Sequence, residues 1–314
     1  RMDEALKGTA TYASEVIAPT EDVCGEGAVW DPDAEAVYWC DINRFLVHHY
    51  DLASQSTRTW QFGEPVSALS LTSDPGRLLI ALGSKLIWWW PDSDRREDHG
   101  FATPGWPNVR LNDGRADPLG NFWVGSMANN VGEDGRSVKI HEHLGQLYRI
   151  APDGTVTVWA DEIGISNTLC WSPDRTRFYF GDTLKNTIDV FHYDDSTGDI
   201  RRIGPHFSDF DRGLPDGSAI DNEGCLWNCR FYGGCIVRVA PNGEVLATVD
   251  LPMTNITTAV FGGADLQTLY VTTASDQKAP GDQFAGSLMA VRTGATGLAP
   301  DRVLVCHESH RSSE

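Results

Sequence analysis

Six oxygen-bearing residues, Glu26, Ser67, Asn112, Asn167, Asp216 and Thr258, occupy one recurring place in the chain, 12 or 13 residues ahead of an aligned strand position. None is basic, and four are Glu, Asn or Asp. A single Asn or Asp at a strand entry needs no ligand to explain it, because its side chain satisfies nearby backbone groups. Gathered around one axis, however, Glu26, Asn112, Asn167 and Asp216 would form an oxygen cage with two carboxylates. Such a set favours Ca2+, Mg2+ or Mn2+, and leaves Zn2+ and Fe2+ open.

A fold that gathers them is legible in the repeats. Six segments each leave a turn and enter a β-rich run: DPDAEAVYWCD from Asp31, SDPGRLLIALG from Ser73, DPLGNFWVGS from Asp117, SPDRTRFYFGD from Ser172, DNEGCLWNCR from Asp221 and GGADLQTLYVTT from Gly262. Their matched positions, Trp39, Ile80, Val124, Phe180, Asn228 and Val271, lie 41 to 56 residues apart, the spacing of a four-stranded propeller blade. Short strands before and after each turn complete the unit, and helical periodicity is nearly absent. The expectation is an all-β, six-bladed β-propeller over residues 1–314 as one domain, its innermost strands lining a central channel. Tyr12–Ile17 is expected to add a strand to the last blade, and Asp301–His307 to serve the same blade. The third unit carries a polar insertion at about 128–144, ANNVGEDGRSVKIHEHL, which reads as a lid or binding loop. The Trp88–Trp90 triplet falls on a third strand, where alternate rings would pack between blades.

Composition narrows the function. Acidic residues outnumber basic ones by 44 to 25, for a net charge of −19. That sign repels phosphate backbones and anionic lipid, so neither nucleic acid nor membrane is an expected partner. No apolar run is long enough to span a bilayer. The start lacks the pattern of a secretory signal. Seven cysteines, an odd number, with Cys40, Cys170 and Cys306 in strand-like runs, suit buried thiols in a reducing cytoplasm better than a disulfide frame. Cys225, Cys229 and Cys235 lack zinc-site spacing. Composition leaves the oligomeric state open.

The segments CGEGAVWD, RLNDGRADPLGNFWVGSM, ISNTLCWSPDRTRFYFGDT, LPDGSAIDNEGCLW and TNITTAVFGGADLQTLYVTT, in order from Glu21 to Thr273, resemble the signature segments of the gluconolactonase/regucalcin (senescence marker protein) family. The resemblance implies a six-bladed propeller holding one catalytic divalent cation, Ca2+ foremost. By motif, Glu26, Asn167 and Asp216 match the metal ligands, and Arg110 and Asn112 match residues that contact substrate. Asn129-Asn130 stands where some members carry an acidic lid residue, so Asn130 is the substrate-reading position here. Thr168 replaces the usual Gly after the metal-binding Asn.

The implied reaction is hydrolysis of a small sugar (aldono-)lactone to its aldonic acid. The cation would polarise the carbonyl and its bound water would be the nucleophile, with Asp216 as the candidate general base and Arg110 supplying paired donors. His49, His141, His143 and His206 lie away from the strand entries. No GxSxG elbow favours a serine mechanism, and no Walker-type phosphate loop or dinucleotide motif is present. The rival readings are a phosphotriesterase of the diisopropylfluorophosphatase type and a non-enzymatic calcium-binding propeller.

Overall fold

The computed structural model describes residues 8–10 and 12–306. Two short strands, β1 (Gly8–Ala10) and β2 (Ser14–Ala18), come first. Blade 1 is β3 (Gly25–Asp31), β4 (Ala36–Asp41), β5 (Leu46–Asp51) and β6 (Ser56–Gln61). Blade 2 is β7 (Val66–Leu71), β8 (Leu78–Leu82), β9 (Lys85–Trp90) and β10 (Arg95–Ala102). Blade 3 is β11 (Val109–Ala116), β12 (Phe122–Ala128), β13 (Gly145–Ile150) and β14 (Val156–Ile163). Blade 4 is β15 (Ser166–Trp171), β16 (Arg177–Asp182), β17 (Thr187–Tyr193) and β18 (Ile200–Ser208). Blade 5 is β19 (Leu214–Ile220), β20 (Leu226–Phe231), β21 (Cys235–Val239) and β22 (Val245–Asp250). Blade 6 contributes β23 (Ile256–Gly262), β24 (Thr268–Thr273) and β25 (Leu288–Arg292).

Each unit is an antiparallel meander, and the six sheets form the ring of a six-bladed β-propeller. β2 completes blade 6 by pairing antiparallel with β25, as the Tyr12–Ile17 stretch predicts. This joins an early strand and a late one in a single sheet and closes the ring. β1 adds a fifth, parallel strand outside β22 on blade 5, which the repeat count does not anticipate.

The cores lie between blades. Trp89 is fully buried and meets Trp60 and Phe62 edge-on, with Tyr38 on the neighbouring blade. Its flanking rings Trp88 and Trp90 point the other way, under the Arg77 guanidinium. The turns explain the DPxG and DNEG motifs. Asp117 Oδ1 accepts from the backbone N–H of Leu119 and Asn121, while Oδ2 accepts from Trp123 Nε1 at 2.8 Å. Asp221 repeats this with Glu223, Cys225 and Trp227. One carboxylate thus closes the turn and satisfies the indole N–H of a buried Trp six residues on.

The C-terminal run departs from expectation. Rather than joining blade 6, it straps the bottom of the ring. Asn222 N donates to Thr296 O, Val303 pairs with Leu71 and Ser73, and Leu304 N donates to Gly120 O, all at 2.8 to 3.0 Å. Blade 6 already has four strands with β2 in place, so the run turns instead to free groups on blades 2, 3 and 5. His307 lies outside the described residues. Cys306 is exposed rather than buried in a strand, and Cys24 is half-buried. Cys225, Cys229 and Cys235 fall into three separate core clusters. No helix of the described residues is long and apolar enough to cross a membrane.

Candidate active site

All six innermost strands break register at the predicted lip: between Glu26 and Val29, Val66 and Ala68, Leu111 and Gly114, Asn167 and Leu169, Pro215 and Ser218, and Ile256 and Thr258. A β-bulge turns a side chain out of the sheet alternation, here at the top of the channel. Sequence periodicity misses these bulges. Their trace is the polar-Gly pair inside an apolar strand, Glu26-Gly27 and Asp216-Gly217, since an interior strand Gly marks a bulge. On β15 the bulge residue is Thr168, held at φ 66°, a region a β-branched residue enters only under constraint. Three bonds hold it: its N–H donates to Asp113 Oδ2 at 3.0 Å, and its Oγ1 lies 2.7 Å from Asp216 O and 2.8 Å from Ser218 Oγ.

Glu26, Asn112, Asn167 and Asp216 are all buried and converge. Glu26 and Asp216 are within hydrogen-bonding reach of each other. Burial raises both carboxyls above the usual carboxylate range, and their mutual repulsion raises Glu26 further. Asn167 Oδ1 lies 3.1 Å from Asp216 Oδ1. Thr183 fixes that orientation: its Oγ1 donates to Pro215 O at 2.7 Å and accepts from Asn167 Nδ2 at 2.8 Å. The reverse amide orientation would need the Thr183 proton a second time. Asn167 Oδ1 therefore faces a carboxylate oxygen, with one long N–H contact of 3.4 Å from Asn112. Buried oxygens brought together in this way suit a cation between them.

Asn112 differs from the four-oxygen expectation. Its Oδ1 accepts from Arg110 Nη1 at 2.9 Å, and its Nδ2 donates to Ser166 O at 2.8 Å. It presents donors to the cage, leaving Glu26, Asn167 and Asp216 as the oxygen face. Ser67 and Thr258 add nothing to that face: Ser67 Oγ donates to Asn112 O, and Thr258 packs against Gly217. Arg110 is buried, and burial lowers it to about 10. Its Nε and Nη2 both donate to Asn130 Oδ1, at 3.0 and 2.8 Å, and Nη1 also reaches Leu111 O. Among the described residues it makes no ion pair with a carboxylate. Asn130, predicted to read substrate, has its oxygen committed to Arg110.

His49 and His206 lie on β5 and the outermost β18, away from the channel, and His141 and His143 are exposed on the insertion. Asp221, Glu223 and Cys225 come within metal-binding distance of one another elsewhere. Arg238 occupies that group, bonding Asp221 Oδ2 at 2.9 Å and Glu223 Oε2 at 2.7 Å, so its carboxylates are already neutralised.

Residues 24–275 match the sequence profile of the SMP-30/gluconolactonase/LRE-like region. The chain is 33% identical over 282 residues to pentonolactonase XacC of Haloferax volcanii, covering 87% of this chain and 92% of the relative. It is 31% identical over 303 residues to 6-deoxy-6-sulfogluconolactonase of Pseudomonas putida, covering 95% and 98%. A calcium-binding regucalcin from Agrobacterium tumefaciens superimposes with a TM-score of 0.86 at 27% identity, covering 95% of this chain and 99% of that one. The chain belongs to the SMP-30/gluconolactonase/LRE-like family.

Proposed function

We propose that the protein is a sugar lactonase that opens a small aldonolactone to its aldonic acid, with a divalent cation held by Glu26, Asn167 and Asp216. The supporting observation is the three-oxygen face beside a buried guanidinium that has no carboxylate partner among the described residues. A cation there would supply Lewis acidity to the lactone carbonyl and acidify water. Three protein oxygens leave room for water and substrate beside them. Names of relatives support the substrate class, since two act on sugar lactones.

In the reaction, water adds to the acyl carbon, the ring C–O bond breaks, and the ring oxygen leaves as a hydroxyl carrying one proton from the water. Asp216 would accept a proton from that water and return one to the departing oxygen, being the carboxylate beside the place the water would occupy. Arg110 would meet the growing carboxylate with its charge and with the one Nη2 N–H left over from its bonds to Asn130, Asn112 and Leu111, which hold the guanidinium so that little order is lost on binding. The test is turnover of an aldonolactone panel, with organophosphates alongside, in chelator and after adding back Ca2+, Zn2+, Mn2+ or Mg2+. Lactone hydrolysis lost in chelator and restored by one cation is expected. Full activity in metal-stripped protein, or preference for the phosphotriester, refutes the assignment.

A further inference from the structure

The insertion between β12 and β13 is fastened far from its own blade. Its first half, Asn129 to Val138, folds as a small hairpin: Val131 bridges Ser137, and Val138 N donates to Asn130 O at 2.7 Å. Val131 is buried in the core shared by blades 1 and 2. Asn43, in the β4–β5 turn of blade 1, donates Nδ2 to Gly135 O at 2.8 Å and to Ser137 Oγ at 3.0 Å. Ser137 Oγ in turn lies 2.6 Å from Asp276 Oδ2, on the β24–β25 loop of blade 6. The hairpin thus leaves blade 3, passes blade 2 and is bolted to blades 1 and 6 along the rim of the channel mouth. Gly135 makes the approach possible: it sits at φ 81°, and a Cβ there would lie 2.2 Å from Asn43 O.

The same hairpin holds Asn130, whose Oδ1 takes two N–H bonds from Arg110. We propose that the Asn43–Ser137–Asp276 bolt sets the capture of the lactone: by fixing the hairpin it places Asn130, and through Asn130 it aims the Arg110 guanidinium. Asn43, Ser137 and Asp276 are positioning residues, and none touches the cation face. The inference rests on the lactonase reading for its substrate. Charge supports the direction of action. With its orientation fixed from one side by an uncharged amide oxygen, Arg110 keeps its positive charge for an anionic product.

The experiment compares wild type with Ser137→Ala, Ser137→Thr, Asn43→Ala and the lid control Glu133→Gln in steady-state hydrolysis of the best aldonolactone by the metal-loaded enzyme. Loss of one or two hydrogen bonds in the bolt raises KM by about tenfold while kcat stays within about twofold. Ser137→Thr, which keeps the hydroxyl, and Glu133→Gln both follow wild type. A second readout is independent of turnover: tryptic cleavage at Arg136 and Lys139 accelerates in Ser137→Ala and Asn43→Ala, and Arg136 is already 81% exposed in its side chain. An active wild type whose KM and cleavage rate are matched by Ser137→Ala overturns the bolt and leaves the lactonase reading standing. A wild type that hydrolyses no lactone overturns the reading and with it the capture role, while cleavage still shows whether the bolt holds the hairpin.

Discussion

Replacing Asp216 with Asn should stabilise the metal-free protein and at the same time abolish its response to metal. The two carboxyls, Glu26 and Asp216, are buried within hydrogen-bonding reach of each other, and burial raises both. Two like charges about 4 Å apart at an effective dielectric of about 20 repel by about 4 kcal/mol, an upper bound because a proton retained between them relieves part of it. Asn keeps the oxygen that accepts from Gly217 N at 2.9 Å and removes one charge. In chelator at pH 8 the variant should therefore gain about 1–3 kcal/mol, or several degrees in Tm. The cation reverses the sign. Losing one of two charged ligands removes about 4 kcal/mol or more of attraction, weakening binding by a factor of about a thousand. The assay is thermal unfolding with and without saturating Ca2+ or Zn2+: wild type should show the larger metal-induced rise in Tm, and Asp216→Asn the higher baseline with little rise. A variant that unfolds at or below the wild-type temperature in chelator would show that the pair does not repel. A variant that keeps the wild-type metal response would move the cation elsewhere.

Three further outcomes test other parts of the molecule. Arg110→Met should raise KM for a lactone by about tenfold or more, the worth of a charge-assisted hydrogen bond, with weaker inhibition by the aldonic acid product measured in the same assay. His206, packed on Tyr179 with Nε2 unpartnered, is lowered to about 4 by burial. Its contribution is complete above the ordinary histidine pKa of about 6.5 and is lost as pH falls toward 4, at most about 3 kcal/mol; His206→Phe should show a smaller drop in Tm between pH 7 and 5. Val303→Asp places a charge in the buried seat of the C-terminal strap and should cost about 2–4 kcal/mol by denaturant unfolding. Its kcat and KM should stay at wild-type values, because the strap lies at the opposite end of the channel from the cation face.

How far the sequence reaches is set by what repeats. The blade count, the β2 closure and the lip positions all follow from a spacing that each unit restates, and Glu26, Asn167 and Asp216 are legible because they occupy that spacing with oxygen-bearing side chains. Groups that act across units leave no such trace. Asn112 reads as a fourth ligand until Arg110, two residues earlier on the same strand, takes its oxygen. Asn130 reads as a substrate contact, while the bond that ties its oxygen to Arg110 leaves no trace in the spacing. The strap reads as part of blade 6, whereas its backbone partners are groups of Leu71, Ser73 and Gly120, which carry no residue-type signature. Thr168 was visible as a departure from Gly. Its φ of 66° is held by three bonds from other strands.

The bulges also explain how one ring position yields both the clustered oxygens and the fasteners. Breaking the ladder at the lip frees backbone carbonyls in a buried place, where each needs a donor. The donors come from the preceding blade. Ser67 of blade 2 donates to Asn112 O, Thr168 of blade 4 to Asp216 O, and Thr257 of blade 6 to Gly25 O, at 2.5 to 2.8 Å. Blades 2, 4 and 6 thus use hydroxyls to knit the ring, and blades 1, 3 and 5 receive them. The carboxylates Glu26 and Asp216 stand on receiving blades, where the bonds made by their neighbours free them from holding the sheet together. Asn167 faces them from blade 4, where Thr168 does the fastening. The clustered oxygens and the fasteners are therefore separate side chains even when adjacent in sequence, so a cation bound at the proposed face would not draw on the bonds that hold the ring.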